Sequence, residues 1–381
     1  MGTLRLTLAL IVAIGHLRLG GQLYGIGHII AVKAFFVISG FYMALVLNGK
    51  YRERAASLFY RNRILRLFPA YYAVLIITLV TAIYFSPRPL RLSNYVDLPL
   101  WTRLAASGHG WPVIAWMTFS NLSLFGLHWG QSVCVHLTSG ALALTGPDVS
   151  CPPGYFSLIS YSPIQPAWTL SVELLFYAVA PFLAVRRFKT IVLLVLIGAA
   201  LRIGMGAVGL DSNPWNRTWF VFEFVYFALG ILSFHLYRFI DSRSDFPVKL
   251  AGISAFAGMM ILSCFWKDLL PPSFSLQQPG PWGNIFYFLL ALAIPVIFLW
   301  SKDLRADNWL GELAYPAYIC HILVLSMIDE FGGEKFHAAV GSHFGWILLH
   351  LLAIGLMSWL LVRLIIKPVE SIRLRLMENA R

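Results

Sequence analysis

The sequence predicts an all-α polytopic membrane protein, on three observations. Of its 381 residues, 59% are hydrophobic and 12% are charged, whereas a soluble domain carries about 25% charged residues. The mean hydropathy is +0.73. Apolar runs near the roughly 20 residues that a helix needs to cross a bilayer recur along the whole chain.

Those runs place spans at 5–20, 28–48, 67–86, 168–185, 190–209, 219–237, 249–266, 284–300, 311–329 and 345–366, in one membrane domain covering 1–381. The first run has a single early cation, Arg5, and no small-residue cleavage site, so it reads as a retained helix rather than a signal peptide. Between the second and third runs lies Tyr51 to Tyr72, with Arg52, Arg54, Arg61, Arg63 and Arg66, and Lys50 just before it. So many cations at one face fix the orientation of a membrane protein. Arg63 and Arg66 are three residues apart and on a helix share one face, as a fork for phosphate; the plainer reading is a topology signal.

Charge bias settles a further run, 111–127. If it does not cross, the basic clusters Arg186-Arg187, Arg238 with Arg243, Lys302 with Arg305, and Arg373, Arg375 and Arg381 all fall on the side of Arg63. The opposite side then holds only scattered cations: Arg18, Arg88, Arg91, Arg103, Arg217, Lys267 and Lys335. If the run crossed, every later cluster would invert, against the Lys/Arg rule. The expectation is therefore about ten crossings, both termini cytoplasmic, and 111–127 as an interfacial or re-entrant piece of a long outside loop, 87–167. The net charge of +12 is read as topology, which leaves nucleic acid a poor partner and the lipid bilayer the expected one.

The long loop is rich in Trp, His, Gly and Pro, which suits either an ordered lid, where Trp faces stack on sugars, or an interfacial aromatic belt. Cys134 and Cys151 both lie in it, and a disulfide between them suits an outside location. Cys264 and Cys320 fall in apolar runs and read as packing residues, and no metal-ligand spacing occurs.

Ionisable residues inside spans are costly and become functional candidates. His16 follows Arg5 by eleven residues, which on a helix is three turns and about 16 Å on one face. A neutral imidazole at depth can act as a general base; its structural reading is a histidine bonded to helix backbone. Glu173, in Trp168-Thr-Leu-Ser-Val-Glu173, could orient an imidazole or bind a sugar hydroxyl; its structural reading is an ion pair with Arg202. His321 lies deep in the ninth run, one turn after Tyr318. Ser39-Gly40 reads first as a close helix contact. Lys33 and Glu223 are also in or near spans.

An arginine fork at one face and an aligned buried histidine fit one chemistry well. A phosphate-bearing acyl donor enters from the cytoplasm, and an acceptor hydroxyl arrives from outside. His16 deprotonates that hydroxyl for direct attack on the thioester, and Ser39, Tyr318 or an Arg supplies an oxyanion donor. No cofactor is held permanently.

Phe35-Phe-Val-Ile-Ser-Gly-Phe41, Arg63-Ile-Leu-Arg-Leu-Phe-Pro69, Trp168 through Tyr177, Gly311 through His321 and Lys367-Pro-Val-Glu370 appear in that order. The ordered set resembles the acyltransferase-3 family of integral-membrane O-acyltransferases. The resemblance implies a ten-helix core and transfer of acyl groups, often acetyl, from acyl-CoA to sugars of envelope polysaccharides or other glycoconjugates. It places Arg5, Arg63 and Arg66 on acyl-CoA and His16 at catalysis, with Glu173 and His321 at recurrent positions. Trp168 joins Ser39 and Tyr318 as an acceptor or oxyanion contact. Many relatives have an acid before the Phe-Phe pair where this chain has Lys33-Ala34, which raises the expectation that Lys33 favours an acidic acyl group or acceptor. Fused relatives carry an extracytoplasmic hydrolase-like domain for which this chain has no room, so it is expected to act alone or with a separate partner. The expected localisation is a bacterial inner membrane, with a carbohydrate or lipid-linked glycan as acceptor. Two other classes fit less well: an oligosaccharide transporter or flippase, for which no internal repeat is seen, and a non-catalytic accessory subunit. The acyl group, the sugar and the oligomeric state are not legible in the sequence.

Overall fold

The structure, a computed structural model, describes residues 1–17, 26–52, 56–85, 98–210, 212–243, 247–269, 281–331 and 342–378. Arg18, Arg54, Arg88, Arg91, Lys335 and Arg381, counted among the loop cations, lie outside the described residues.

The chain runs as α1 (Gly2–Gly15), α2 (His28–Asn48), α3 (Ala56–Phe85), α4 (Leu98–Ala106) and α5 (Trp111–Ser123), then three short strands, β1 (Val133–His136), β2 (Leu142–Leu144) and β3 (Tyr155–Ser157). It continues with α6 (Trp168–Leu183), α7 (Phe188–Ala207), α8 (Trp215–Thr218), α9 (Phe220–Asp241), α10 (Val248–Leu269), α11 (Pro281–Ser301), α12 (Arg305–Phe331), α13 (His343–Leu361) and α14 (Lys367–Glu378). Among the described residues nine helices are long and apolar enough to cross a membrane. The protein is an all-α polytopic membrane protein.

Several boundaries differ from the expected ones, while 111–127 stays short of a crossing as expected. The first span, expected at 5–20, is a helix from Gly2 to Gly15 with His16 at its C-cap. Its 14 residues span about 21 Å, so it is shorter than the nine. The third span does not begin after the basic stretch. α3 is one helix of 30 residues that starts at Ala56 and runs through Pro69, so Arg61, Arg63 and Arg66 stand on its first turns. A proline inside a helix is tolerated where protein covers the backbone, and the Tyr315 hydroxyl donates to the Leu67 carbonyl at 2.7 Å beside it. The run 111–127 forms only the 13 residues of α5 before a 3₁₀ turn, about 20 Å and short of a crossing. Tyr71 and Tyr72 of α3 donate to the Asn121 and Leu122 carbonyls at its end. The last helix continues from α13 through a π-turn at Val362–Ile366 into α14.

The core is built on α2 and α12, whose spanning windows are 67% and 72% buried, whereas α7 and α10 are only 17% buried and present Leu and Ile outward as lipid-facing helices do. α2 and α9 touch backbone to backbone. A Cβ on Gly40 would sit 2.1 Å from the Phe227 carbonyl oxygen, and one on Gly230 2.0 Å from that of Val37. That is the close contact read from Ser39-Gly40.

α1 is seated by Asp307 at the start of α12. Its carboxylate accepts from the backbone N–H of Gly2 at 2.7 Å and of Thr3 at 2.9 Å, and from the Met1 ammonium. An acid at a helix N-terminus is the favourable sign. Lys367 pairs with Glu312, one turn further along α12, so Met1 and α14 lie at the same end of the bundle. At the other end the long loop folds into a small antiparallel sheet, in the order β2-β1-β3, with Val133 opposite Leu144 and His136 opposite Tyr155. A Cys134–Cys151 disulfide ties this loop, while Cys264 and Cys320 are free.

Candidate active site

A cavity opens between α1, α2, α3, α6 and α12. Arg5, Arg63, Arg66, Ser39, Glu173 and Tyr318 all line it. The three arginines are held differently. Arg63 is 7% exposed and its guanidinium stacks between Phe59 at 5.5 Å and Tyr177 at 5.7 Å. Arg5 lies over Tyr42 at 5.7 Å. Arg66, one turn beyond Arg63, is exposed. Aromatic faces fix the planes of the two deeper guanidinium groups and leave their edge N–H donors for another partner. No described carboxylate lies within 4.0 Å of any of them. Three cations around one cavity, with a single carboxylate, Glu173, in its lining and none in an ion pair with them among the described residues, make a site for a polyanion.

Glu173 faces the same cavity but is occupied by hydroxyls. Ser39 Oγ donates to its Oε1 at 2.7 Å and the Tyr177 hydroxyl at 2.5 Å. It makes no ion pair with Arg202, which binds Glu223 instead, at 3.1 Å. Lys33 bonds the same oxygen of Glu223 at 3.3 Å and the Asn216 carbonyl at 3.2 Å, so it is turned away from the cavity into a buried ion-pair cluster.

Tyr318 lines the cavity from α12, with its ring 5.9 Å from that of His321. Its hydroxyl lies 2.8 Å from Thr169 Oγ1 and 3.3 Å from the Pro166 carbonyl, and its ring stands edge-on to Phe35. Thr169 already donates to Pro166, so the Tyr318 proton is committed within this cluster, as the Ser39 proton is to Glu173. An oxyanion role for either hydroxyl requires it to leave its present partner, whereas Arg5 needs no such change.

The histidines stand behind Tyr318 and do not line the cavity. His321 is fully buried, one turn beyond Tyr318, with Nδ1 2.6 Å from the Tyr318 carbonyl. The His16 ring lies 5.1 Å from that of His321 and 5.2 Å from that of His28, with Nδ1 2.8 Å from the Val12 carbonyl. A carbonyl only accepts, so the Nδ1 atoms of both His16 and His321 carry hydrogen and their Nε2 atoms are the basic ones. Trp168 is in neither group; it lies under the guanidinium of Arg217, at 5.4 Å.

The acyltransferase domain model of the acyltransferase-3 family matches residues 2–362. The chain belongs to the acyltransferase-3 family. Among curated proteins, this member is similar to the O-acetyltransferase OatA of Staphylococcus aureus, 22% identical over 334 residues that cover 80% of this chain and 47% of that protein. It is also similar to the peptidoglycan O-acetyltransferase OatA of Listeria monocytogenes, 21% identical over 329 residues, or 79% of this chain and 45% of that one. The chain thus spans about half the length of the curated relatives it matches. No solved structure matches it.

Within this acyltransferase-3 chain, sequence reasoning missed His28, Arg217 and the aromatic braces Tyr42 and Tyr177. His28 opens an apolar run and reads there as a boundary residue. Its only signal is Gly15 beside His16: a Cβ there would come within 2.9 Å of His28 Nδ1, so the glycine makes room for the second imidazole. That relation joins two helices and is invisible along the chain.

Proposed function

We propose that this protein is an integral-membrane O-acyltransferase. It moves an acyl group, acetyl in the simplest case, from acyl-CoA to a hydroxyl of a carbohydrate or lipid-linked glycan. The observation that supports the reading is the cavity where Arg5, Arg63 and Arg66 outnumber the one carboxylate, Glu173, and pair with none, backed by a wall beyond which His16 sits with Nε2 as its basic nitrogen.

The arginines take the phosphates of the donor, and the acyl-pantetheine arm runs along the cavity toward Tyr318. The acceptor hydroxyl comes from the histidine end. His16 Nε2 takes its proton as the oxygen attacks the thioester carbon. The C–S bond breaks, the thiolate leaves as CoA, and the proton on His16 is available to it or to solvent. Direct transfer needs no nucleophile from the protein. Because Tyr318 separates the two compartments in this arrangement, its side chain has to swing for the thioester to meet the hydroxyl. Glu173 holds Ser39 and Tyr177 and keeps the cavity wall in shape, and His321 packs beside the base. The fold relation to O-acetyltransferases supports acetyl as the group; the arginine end as the cytoplasmic one follows from the charge rule.

The test is release of free CoA from acetyl-CoA by purified protein, with and without a glycan pool from the cell envelope. Release should need both the glycan and His16, and His16→Ala should lose about 10²-fold or more, the usual weight of a general base, while still binding the donor. Release that is unchanged in His16→Ala removes the base assignment. A chain that binds glycan and moves it without consuming acyl-CoA is a transporter.

A further inference from the structure

One cation at the histidine end is used by nothing described so far. Arg217 stands on α8, the short helix between α7 and α9. Its guanidinium lies over the face of Trp168, itself 4% exposed; the residue as a whole is half-buried, and its Nε is buried. Stacking on an indole fixes the plane of a guanidinium and leaves the N–H fork along its edge to meet a carboxylate or phosphate with two parallel hydrogen bonds.

Among the described residues the fork has no such partner. No described carboxylate lies within 4.0 Å of Arg217, and its Nε has no hydrogen-bond partner among the described residues. The acid that acts on it electrostatically is Glu223, and one oxygen of Glu223 already serves both Lys33 and Arg202. Three cations therefore share a single carboxylate, and Arg217 is the one left over. Its field also reaches His16, His28 and Tyr318, which puts it beside the proposed base and away from the arginines of the donor cavity.

We propose that Arg217, braced on Trp168, is the anion subsite of the acceptor: it binds a carboxylate or phosphate of an acidic glycan and so holds the reacting hydroxyl at His16. This rests on the acyltransferase reading and narrows it, from any carbohydrate to one that carries a negative charge near the acylated position. A neutral sugar would leave the guanidinium partly desolvated and unpaired, which is the costly arrangement. The same oxyanion chemistry is offered by the headgroup phosphate of a lipid, so the test separates the two sources.

The protein, in nanodiscs of zwitterionic lipid, is titrated with a glucuronate-terminated tetrasaccharide and with its methyl ester, which differ only in charge. The wild type should bind the acid about tenfold or more tightly than the ester, as expected for a charge-assisted bidentate pair. Arg217→Gln should bind both alike, and Arg217→Lys should keep part of the difference, with the KM for acetyl-CoA the same in all three. Equal binding of acid and ester by the wild type overturns the proposal, and so does a preference that survives in Arg217→Gln. A third arm adds phosphatidylglycerol to the nanodiscs. Lipid retention that needs Arg217, with no acid preference among the sugars, assigns the site to lipid and also overturns it. If Arg217→Gln does not fold, the acid–ester contrast in the wild type and in Arg217→Lys decides. Binding is read without turnover, so acetyl transfer without an acid preference sinks this subsite alone. An acid preference without acetyl transfer sinks the acyltransferase reading alone.

Discussion

A backbone carbonyl decides which nitrogen of His16 is basic. Val12 O accepts from Nδ1 at 2.8 Å, so the lone pair is on Nε2. The sequence places His16 and Arg5 on one face, but this tautomer comes from the C-cap geometry. The arginines separate in a similar way. Sequence spacing puts Arg63 and Arg66 side by side as equals, yet Arg63 is buried between two aromatic rings while Arg66 stands in the open. Two consequences can be measured apart. Arg66→Ala should raise the KM for acyl-CoA about tenfold through a lost phosphate contact, with the folded state unchanged. Arg63→Ala should raise it as well and also lower the thermal unfolding midpoint, because it leaves Phe59 and Tyr177 facing a void. Donor affinity unchanged from the wild type in both variants would remove the arginines from the donor site. The partners of Lys33 were not legible in advance. They lie on α9 and α8, 183 to 190 residues along the chain, and no local pattern links them.

At the scale of elements, apolar runs locate the helices well because burial in lipid needs length, and length is written in composition. They place ends poorly, because proline and charge near a boundary can be absorbed by neighbours, as α3 shows at Pro69. The pairing of α2 with α9 is a stricter matter. Gly230→Ala puts a Cβ 2.0 Å from the Val37 carbonyl oxygen, and should cost about 1–3 kcal/mol by overpacking. Gly204→Ala in α7, where a Cβ meets nothing within 4 Å, should be neutral or stabilising by about 0.5–1 kcal/mol. Thermal unfolding in one detergent compares them; equal midpoints would contradict the close contact. The long loop carries a second element-scale prediction. His128 is 2% exposed with Nδ1 2.8 Å from Ser171 Oγ on α6. Burial pushes its imidazole down to about 4, below the roughly 6.5 of a free ring. The folded loop therefore favours the neutral ring: the stabilisation is full above about pH 6.5 and is lost as pH falls toward 4. Hydrogen exchange across 127–136 should quicken between pH 7 and 5 beyond its intrinsic pH dependence, and His128→Gln should flatten that excess. The small sheet in this loop was not expected, since strands of three or four residues among Gly, Pro and Ser carry too little alternation to read.

For the whole molecule, the arrangement has two ends. Arginines and a cavity lie near the N-terminus of α1, histidines and Arg217 near its C-terminus, with Tyr318 between them. The ordered motifs made the family legible before any geometry was known, and four of the five carry residues that line the cavity or join the histidine cluster, while Lys367 of the fifth pairs with Glu312. The separation by Tyr318 was not legible, as it depends on how α12 is turned against α6. The central claim is that donor and acceptor meet from opposite ends. Sealed proteoliposomes answer it, with labelled acetyl-CoA supplied only outside and the envelope glycan trapped only inside. Label should appear in the trapped glycan and be absent with His16→Ala. If label reaches glycan only when both substrates are on the same side of the membrane, the two-ended arrangement is wrong.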